Sequence, residues 1–371
     1  MPPNVVATVE SYCRGAEVVD RRGHPSFDPP PRRKHPSRVL GAIRRLHVDE
    51  HVDDQLLEEL DAGDLTIPEF LHGEETFALL RHELYERLSP GAPFMDFFWH
   101  FRSMHLPLLR LLAAKCPDAG VYHAVSTGYA GLVGAIASKR TGRPLVVTEH
   151  GLYAREREME LSRARWIHDL ESHQPSPLRR FWSHYFRMLS KIAYHRASRL
   201  VTLSEANRAK QVADGADPKK TMVVPNGVSW PSPPATPIVK RDRQRLRVGF
   251  VGRVVPIKDV ITLIRAIGIA RDRIALEAWI VGPEDEDPTY AARCHALAKA
   301  LSLDVELKFM GSQPVAQIYP ELDVVVLTSL SEGQPLVILE AYAHGVPVIA
   351  TDVGACRELI EGGDALDNMR K

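Results

Sequence analysis

The sequence predicts an α/β protein made of two Rossmann-like domains that face a cleft. From residue 121 onward, strand-like and helix-like segments alternate, and such alternation is typical of βαβ units with parallel sheets. A Pro-rich polar stretch at 229–245 divides the alternation into two series and is interpreted as a linker. We therefore expect an N-terminal domain at 39–228 and a C-terminal domain at 246–371.

The composition is that of a globular protein without an electrostatic preference for nucleic acid. Lysine plus arginine and aspartate plus glutamate both number 47 in 371 residues, so no net charge attracts a polyanion or an anionic membrane. The sequence shows neither a secretory signal at its start nor an apolar run of about 18 residues. Its four cysteines lack metal or redox spacing and are interpreted as reduced thiols of a cytoplasmic protein; they are Cys13, Cys116, Cys294 and Cys356.

In the first half of the chain, strands are predicted only after a helical region. Residues 1–38 are rich in Pro, Arg and His and are expected to be disordered or extended. Residues 39–118 contain helix-like segments such as "DDQLLEEL" and no convincing strand. The predicted strands then follow at 121–127, 143–151, 199–205 and 221–227, with helices at 128–142 and roughly 153–197. These strands would form the sheet of the N-terminal domain.

The second series opens with "LRVGFVGR" and ends with "VPVIAT". Its predicted strands are 246–253, 275–282, 307–311, 323–329 and 346–351, with helices at about 259–270 and 288–302, a short helix, and a helix that begins at Pro335. The strand "DVVVLTS" at 323–329 is a continuous apolar run, which is typical of a strand buried in a parallel sheet. Pro335 suits the first position of the helix that follows, and Gly345 suits the position after its end.

Two basic residues follow the first strand of the second series, in "VGRVVPIKD" at 251–259. Gly252 permits a tight turn, while Arg253 and Lys258 place two cations near a helix N-terminus. Charge and helix dipole together predict an anion site. The alternative interpretation is a surface loop with two ordinary basic residues. A Walker phosphate loop is excluded because its glycine spacing and its Lys-Ser/Thr pair are absent.

Two glutamates flank the start of the helix in "SEGQPLVILEAYAHGVPVIAT", residues 331–351. Glu332 lies in a loop at the carboxyl end of a strand, where open α/β sheets bind ligands. Backbone N–H groups of Gly333 and Gln334 can hold sugar hydroxyls or a phosphate, and the carboxylates of Glu332 and Glu340 can accept from paired hydroxyls. The alternatives are a solvated loop acid at Glu332 and a lysine-paired helix residue at Glu340.

A histidine ends a strand of the first series, in "VTEHG" at 147–151. A lone histidine is more often structural than functional. The position of His150 after a buried strand, facing the expected cleft, favours a functional role. No GxSxG, no HExxH and no Cys/His cluster occurs in the sequence.

Taken together, these segments resemble the retaining family-4 glycosyltransferases of the GT-B fold. The resemblance rests on "GRVVPIKD" and on Glu332-x7-Glu340 with the flanking "PVIATDVG". The closer similarity is to the Pel exopolysaccharide glycosyltransferase group (PelF-like), through "VYHAVSTGYAGL", "RTGRPLVVTEHGLYARERE", "VPNGV" and "DVGACRELI". It extends from about residue 70 to 361.

The resemblance implies a transferase that moves a hexose, with glucose as the first guess, from UDP-glucose to a growing polysaccharide with retention. It implies an acceptor-side N-terminal domain, a donor-binding C-terminal domain and no metal or other cofactor, because Arg253 and Lys258 neutralise the leaving diphosphate. Glu340 would hold the ribose, and His150 would contact the transferred sugar. Catalytic roles would fall to His150, Glu332, Arg253 and Lys258. The expected substrate-binding residues are Gly252, Arg253, Lys258, Glu332, Gly333, Gln334, Pro335, Leu336 and Glu340. Partners could include membrane exopolysaccharide export proteins.

The sequence also departs from the family pattern. No glycine-rich loop of the family type occurs in residues 1–70, the chain ends at Lys371 without the usual final helices, and Ser229 stands where an Asp usually follows "NGV". We therefore expect a partial N-terminal domain and a truncated C-terminal domain. Two alternatives remain open. One is a non-catalytic subunit that binds a sugar nucleotide, and the other is a GT-B sugar-nucleotide epimerase.

Overall fold

The structure, a computed structural model, describes residues 35–164, 167, 176–229 and 245–362. Most of the predicted extended segment and most of the predicted linker lie outside these residues. The chain divides into two compact units. The first comprises Met1–Thr202 and Ala209–Met222, and the second comprises Leu203–Arg208 and Val223–Lys371. Each unit contains its own β-sheet, and the predicted α/β fold with two parallel sheets is confirmed.

From residue 38 to residue 112, the described part of the first unit is helical, as predicted for 39–118. Side chains fix several helix starts: Ser37 Oγ accepts the N–H of Leu40 at 3.2 Å, and Thr66 and Glu69 form a reciprocal capping box. Arg38, the last residue of the predicted extended segment, is therefore already helical. The elements are α1 (Arg38–Val48), α2 (Asp54–Leu60), α3 (Ile67–His72), α4 (Glu74–Ala78), a π-helical segment (Leu79–Tyr85), α5 (Glu86–Leu88) and α6 (Phe94–Leu112).

A four-stranded sheet follows in the order β1-β2-β3-β4, with β2 parallel to both of its neighbours. Its elements are β1 (Tyr122–Ala124), α7 (Gly128–Thr141), β2 (Leu145–Glu149), α8 (Tyr153–Arg163), α9 (Pro177–Arg196), β3 (Arg199–Thr202), α10 (Glu205–Ala213) and β4 (Thr221–Val223). Alternate residues of β2 are buried, since successive side chains of a strand point to opposite faces. This alternation places the last residue of β2, Glu149, inside the unit.

The second unit is a five-stranded sheet in the order β7-β6-β5-β8-β9, and every neighbouring pair is parallel. Its elements are β5 (Leu246–Val251), α11 (Val260–Ala270), β6 (Leu276–Val281), α12 (Pro288–Ala300), β7 (Leu307–Gly311), α13 (Val315–Ile318), β8 (Val324–Leu327), α14 (Leu336–Ala343), β9 (Val348–Ala350) and α15 (Cys356–Glu361). Short 3-10 turns cover Pro256–Lys258 and Tyr319–Glu321. The strand order reverses between β5 and β8, and ligands of open α/β sheets bind at the carboxyl ends of strands at such a switch point.

Two further sequence expectations concern thiols and membrane spans. Cys116, Cys294 and Cys356 are free, and the last two are buried; Cys13 lies outside the described residues. Within the part of the chain that the structure describes, no helix combines the length and the apolar character needed to cross a bilayer.

Candidate active site

Hydrogen bonds join the two loops that follow β5 and β8. The N–H of Leu330 donates to the carbonyl oxygen of Ile257 at 2.8 Å, and Thr328 Oγ1 donates to the carbonyl oxygen of Lys258 at 3.1 Å. The two loops lie at the carboxyl ends of the strands on either side of the switch point. The predicted anion loop and the predicted glutamate loop therefore form one site, although they lie far apart in the sequence.

Lys258 and Glu332 form the centre of this site. Lys258 Nζ donates to Glu332 Oε1 at 2.6 Å, and Ser329 Oγ donates to the same oxygen at 2.5 Å. The side chains of Lys258 and Glu332 are 18% and 10% exposed. Glu332 is thus a partly buried, ion-paired acid, and the alternative of a solvated loop acid is wrong.

The backbone after β5 needs the glycine that the sequence places there. Gly252 has a φ of 154°, a conformation that favours glycine. Its N–H donates to the carbonyl of Val281 at 2.9 Å. A Cβ added to Gly282 would lie 2.0 Å from the carbonyl oxygen of Gly252. The ends of β5 and β6 therefore pass close to each other, which leads the chain from β5 directly into Arg253.

Arg253, the second predicted cation, is paired in a way that the sequence did not show. Its Nη1 donates to both carboxylate oxygens of Glu286 at 2.6 Å. Both side chains are about half exposed, at 52% and 51%. An exposed pair of this kind contributes little stability, so Arg253 remains available to an anion that outcompetes Glu286.

The start of α14 is held by a neighbouring loop. The backbone N–H of Asn226 donates to Gln334 Oε1 at 2.5 Å, and Asn226 Nδ2 donates to the carbonyl oxygen of Gln334 at 3.1 Å. The helix itself begins at Leu336, with Pro335 as the residue before it. The prediction that Pro335 is the first helical residue is therefore wrong by one position. Leu336 is 46% exposed, and Gly345 follows the helix with a φ of 71°, as predicted.

A second close contact fixes the loop of Glu332 and Gly333. The N–H of Ala355 donates to the carbonyl oxygen of Gly333 at 2.9 Å. A Cβ added to Gly354 would lie 2.1 Å from the carbonyl oxygen of Glu332. Because this neighbour is backbone, only glycine fits there, and "DVG" of the sequence is explained by that close approach.

Glu340 lies in the second turn of α14, as predicted, but its partner is not a lysine. The hydroxyl of Tyr319 donates to Glu340 Oε2 at 2.7 Å. Burial and the nearby carboxylate raise the pKa of Tyr319, so its hydroxyl stays a donor at neutral pH. The ring of Tyr319 stacks on His344 with centroids 5.1 Å apart. Glu340 is therefore held in one orientation at the edge of the site.

His150 lies in the first unit, immediately after β2, and its side chain is exposed. The residue before it, Glu149, is only 1% exposed. Glu149 shares the buried face of β2 with Leu145 and Val147. The sequence reasoning missed Glu149, although the alternation along the strand was a signal that could have found it.

Four donors from separate elements hold the Glu149 carboxylate. They are Thr127 Oγ1 at 2.8 Å, the Tyr194 hydroxyl at 2.6 Å, Gln211 Nε2 at 2.8 Å and the Tyr153 N–H at 3.3 Å. These bonds satisfy the acceptor oxygens of a buried carboxyl group. They also tie the end of β2 to α7, α8, α9 and α10, so the point where His150 leaves the sheet is fixed.

The described part of the chain contains no obvious metal-binding site. No three His, Cys, Asp or Glu side chains come together there in a way that could hold a metal ion. The expectation that the chain works without a metal stays a prediction.

Comparisons with known proteins match two parts of the chain to family models. Residues 1–219 match the family model described as "Domain of unknown function (DUF3492)", and residues 245–368 match "Glycosyl transferases group 1". The fold and the second match define a GT-B type protein of the glycosyltransferase group 1 class. Because the first match covers more than half of the chain, the chain belongs to the DUF3492 family.

Individual relatives carry glycosyltransferase names. The chain is 28% identical over 263 residues to "MMP alpha-(1->4)-mannosyltransferase" of Mycolicibacterium hassiacum, covering 70% of this chain and 60% of the relative. It is 32% identical over 268 residues to "D-inositol 3-phosphate glycosyltransferase" of Geodermatophilus obscurus, covering 66% of this chain and 55% of the relative. The chain therefore spans somewhat more than half the length of these curated relatives.

A solved structure shares the fold. Anabaena Alr3699/HepE, in a crystal structure with UDP-glucose, superposes with a TM-score of 0.50 at 25% identity. The match covers 64% of this chain and 61% of the HepE chain.

Proposed function

We propose that the chain transfers a hexose, with glucose as the first candidate, from UDP-glucose to a growing polysaccharide with retention of configuration. The observation that carries the proposal is the joined pair of loops at the switch point, with Arg253, Lys258 and Glu332, in a unit that matches group 1 glycosyltransferases. HepE, which has been crystallised with UDP-glucose, supports the choice of donor. Membership of retaining family 4 and of the PelF-like group is part of the same proposal.

The diphosphate of the donor would bind to Lys258 and Arg253. Charge-assisted hydrogen bonds from lysine and arginine to phosphate oxygens are among the strong ones in proteins. Both cations are paired with carboxylates in the structure, at 2.6 Å in each case. The diphosphate would displace Glu286 from Arg253 and share Lys258 with Glu332, so the partly buried pair with Glu332 holds Lys258 in place before the donor arrives.

The remaining residues would orient the rest of the donor. Glu340, fixed by Tyr319 at 2.7 Å, would accept from the two ribose hydroxyls. Glu332, Gly333 and Gln334 would contact the transferred sugar, and His150 would contact it from the first unit.

Catalysis in this account consists of positioning and charge stabilisation. Negative charge develops on the leaving diphosphate, and preorganised cations stabilise such charge most effectively where water is excluded. The partly buried Lys258 meets this condition better than the half-exposed Arg253. Retention would follow because the leaving phosphate helps to deprotonate the acceptor on the same face of the sugar.

A panel of nucleotide sugars tests the proposal. UDP-glucose, UDP-N-acetylglucosamine, ADP-glucose and GDP-mannose are titrated into the chain by calorimetry, and the turnover of each binder is then measured. The proposal expects UDP-glucose to bind most tightly and to be consumed. Binding of GDP-mannose alone would overturn the choice of donor, and binding without turnover would favour a non-catalytic sugar-nucleotide protein.

A further inference from the structure

One carboxylate near His150 has no role in the donor chemistry described above. Glu156 lies in the first turns of α8 and is half-buried. Among the residues that the structure describes, its carboxylate has no hydrogen bond or ion pair. Neither of its oxygens is among the fully buried polar atoms that lack a partner, so both reach solvent and can accept a hydrogen bond from a ligand.

The loop after β2 leaves space for this carboxylate. A Cβ added to Gly151 would lie 1.8 Å from Glu156 Oε1. The carboxylate therefore rests directly against the backbone of Gly151, the residue that follows His150. The φ of Gly151 is not positive, so the backbone conformation does not require a glycine here. The glycine is explained by the Glu156 carboxylate, which occupies the space that a Cβ would need.

The other acids around α8 are paired, which sets Glu156 apart. Arg157 donates to Glu160 at 2.5 Å, Arg187 donates to Glu158, and Arg155 donates to Asp214 at 2.9 Å. Glu156 lies between two arginines in the sequence, yet it is bonded to neither. Burial, together with the charges of Glu149 and Glu160, raises the pKa of Glu156, and Arg157 opposes this rise.

We propose that Glu156 is an acceptor-binding residue whose carboxylate accepts a hydrogen bond from a hydroxyl of the saccharide that receives the sugar. The inference rests on the proposed function and names a residue on its acceptor side. A hydroxyl suits the site because it donates to a carboxylate oxygen without needing a charge of its own, and hydroxyls are the donors that a saccharide offers. The carboxyl end of β2, where Glu149 fixes the backbone, supplies the rigid support that such a contact needs.

Four variants separate this role from a structural one. Glu156→Gln keeps the shape of the side chain and removes its charge. Gly151→Ala keeps the carboxylate and pushes it away from the loop. The double variant combines both changes, and Glu158→Gln on the same helix, at a residue paired with Arg187, is the matched control. Each protein is tested for UDP-glucose affinity by calorimetry, for hydrolysis of the donor by water, and for transfer to maltotriose and cellotriose.

Glu156→Gln is expected to lower kcat/KM for the saccharide by about tenfold to hundredfold, the range for a hydrogen bond to a charged group. UDP-glucose affinity and donor hydrolysis are expected to stay within about twofold of the parent protein, because neither involves the acceptor. Gly151→Ala should also lower transfer, and the double variant should be no worse than Glu156→Gln, since both changes act on one contact. Glu158→Gln should behave as the parent protein.

The carbon-13 resonance of the Glu156 carboxyl group, assigned with Glu156→Gln, gives a second readout. It is expected to shift when maltotriose or cellotriose is added to the UDP-bound protein. A parent protein that does not bind UDP-glucose overturns the proposed function, and this inference with it. If the parent protein binds UDP-glucose normally, two results would each overturn the role of Glu156 alone. One is unchanged transfer in Glu156→Gln, and the other is no shift of the carboxyl resonance when the saccharide is added.

Discussion

Replacing Lys258 with alanine is the substitution expected to weaken donor binding most. The ammonium group donates to Glu332 at 2.6 Å and its side chain is 18% exposed. Its removal would take one charge-assisted hydrogen bond from the diphosphate, and such bonds contribute about 1.5–3 kcal/mol. It would also leave Glu332 with Ser329 as its remaining donor, so an unneutralised carboxylate would face the diphosphate. We therefore expect a loss of about 2–3 kcal/mol, or about 30-fold to 160-fold in Kd for UDP.

A second lysine of the same unit provides the control. Lys308 in β7 donates to Glu277 at 2.6 Å, so it forms the same kind of ion pair away from the switch point. UDP is titrated by calorimetry into the parent protein, Lys258→Ala and Lys308→Ala, and thermal unfolding confirms that each variant is folded. Lys308→Ala should bind as the parent protein does. Equal UDP affinity in the two variants would refute the assignment of Lys258 to the diphosphate.

Three further predictions concern charge and pH. Glu286→Gln frees Arg253 and should tighten UDP binding. The gain should be at most about fivefold, because an exposed ion pair contributes up to about 1 kcal/mol. If calorimetry shows weaker binding, Glu286 does not compete with the diphosphate for Arg253. Glu340→Gln should weaken UDP binding by about tenfold and leave pyrophosphate binding unchanged, whereas equal losses would contradict the ribose role. Burial holds the pKa of His47 well below its usual range and lowers the pKa of His105 to about 3. Both imidazoles therefore stay neutral in the folded protein, and below about pH 6.5 they take up protons when the protein unfolds. Stability measured with urea should therefore fall by about 1.4 kcal/mol per imidazole for each pH unit below 6, and a flat profile from pH 7 to 5 would contradict this.

Much of the fold could be predicted because buried parallel strands leave a clear pattern. "DVVVLTS" contains the observed strand Val324–Leu327, and "LKFMG" coincides with Leu307–Gly311. The start of α14 was placed one residue early because proline fits both the first helical position and the position before it. The order of strands was not predicted, since pairing depends on contacts between distant segments.

The candidate site could be predicted residue by residue, but its pairings could not. Lys258 and Glu332 were each identified from local pattern, yet their contact joins positions 74 residues apart. Glu286 lies 33 residues from Arg253, in a loop whose sequence showed no motif that would mark it as part of the site. Glu149 was missed for another reason. Its strand was interpreted only as a buried strand that leads to His150, and the alternation along it, which places the acid inside, was not used.

Transfer of radiolabelled glucose tests the central claim most directly. The full chain is incubated with UDP-glucose labelled in the sugar and with maltotriose or cellotriose, and the labelled product is isolated and its new linkage assigned by NMR. The account predicts release of one UDP for each glucose transferred, an α linkage in the product, and loss of most of this activity in Lys258→Ala. A parent protein that neither binds nor consumes UDP-glucose, or a product with a β linkage, would contradict it.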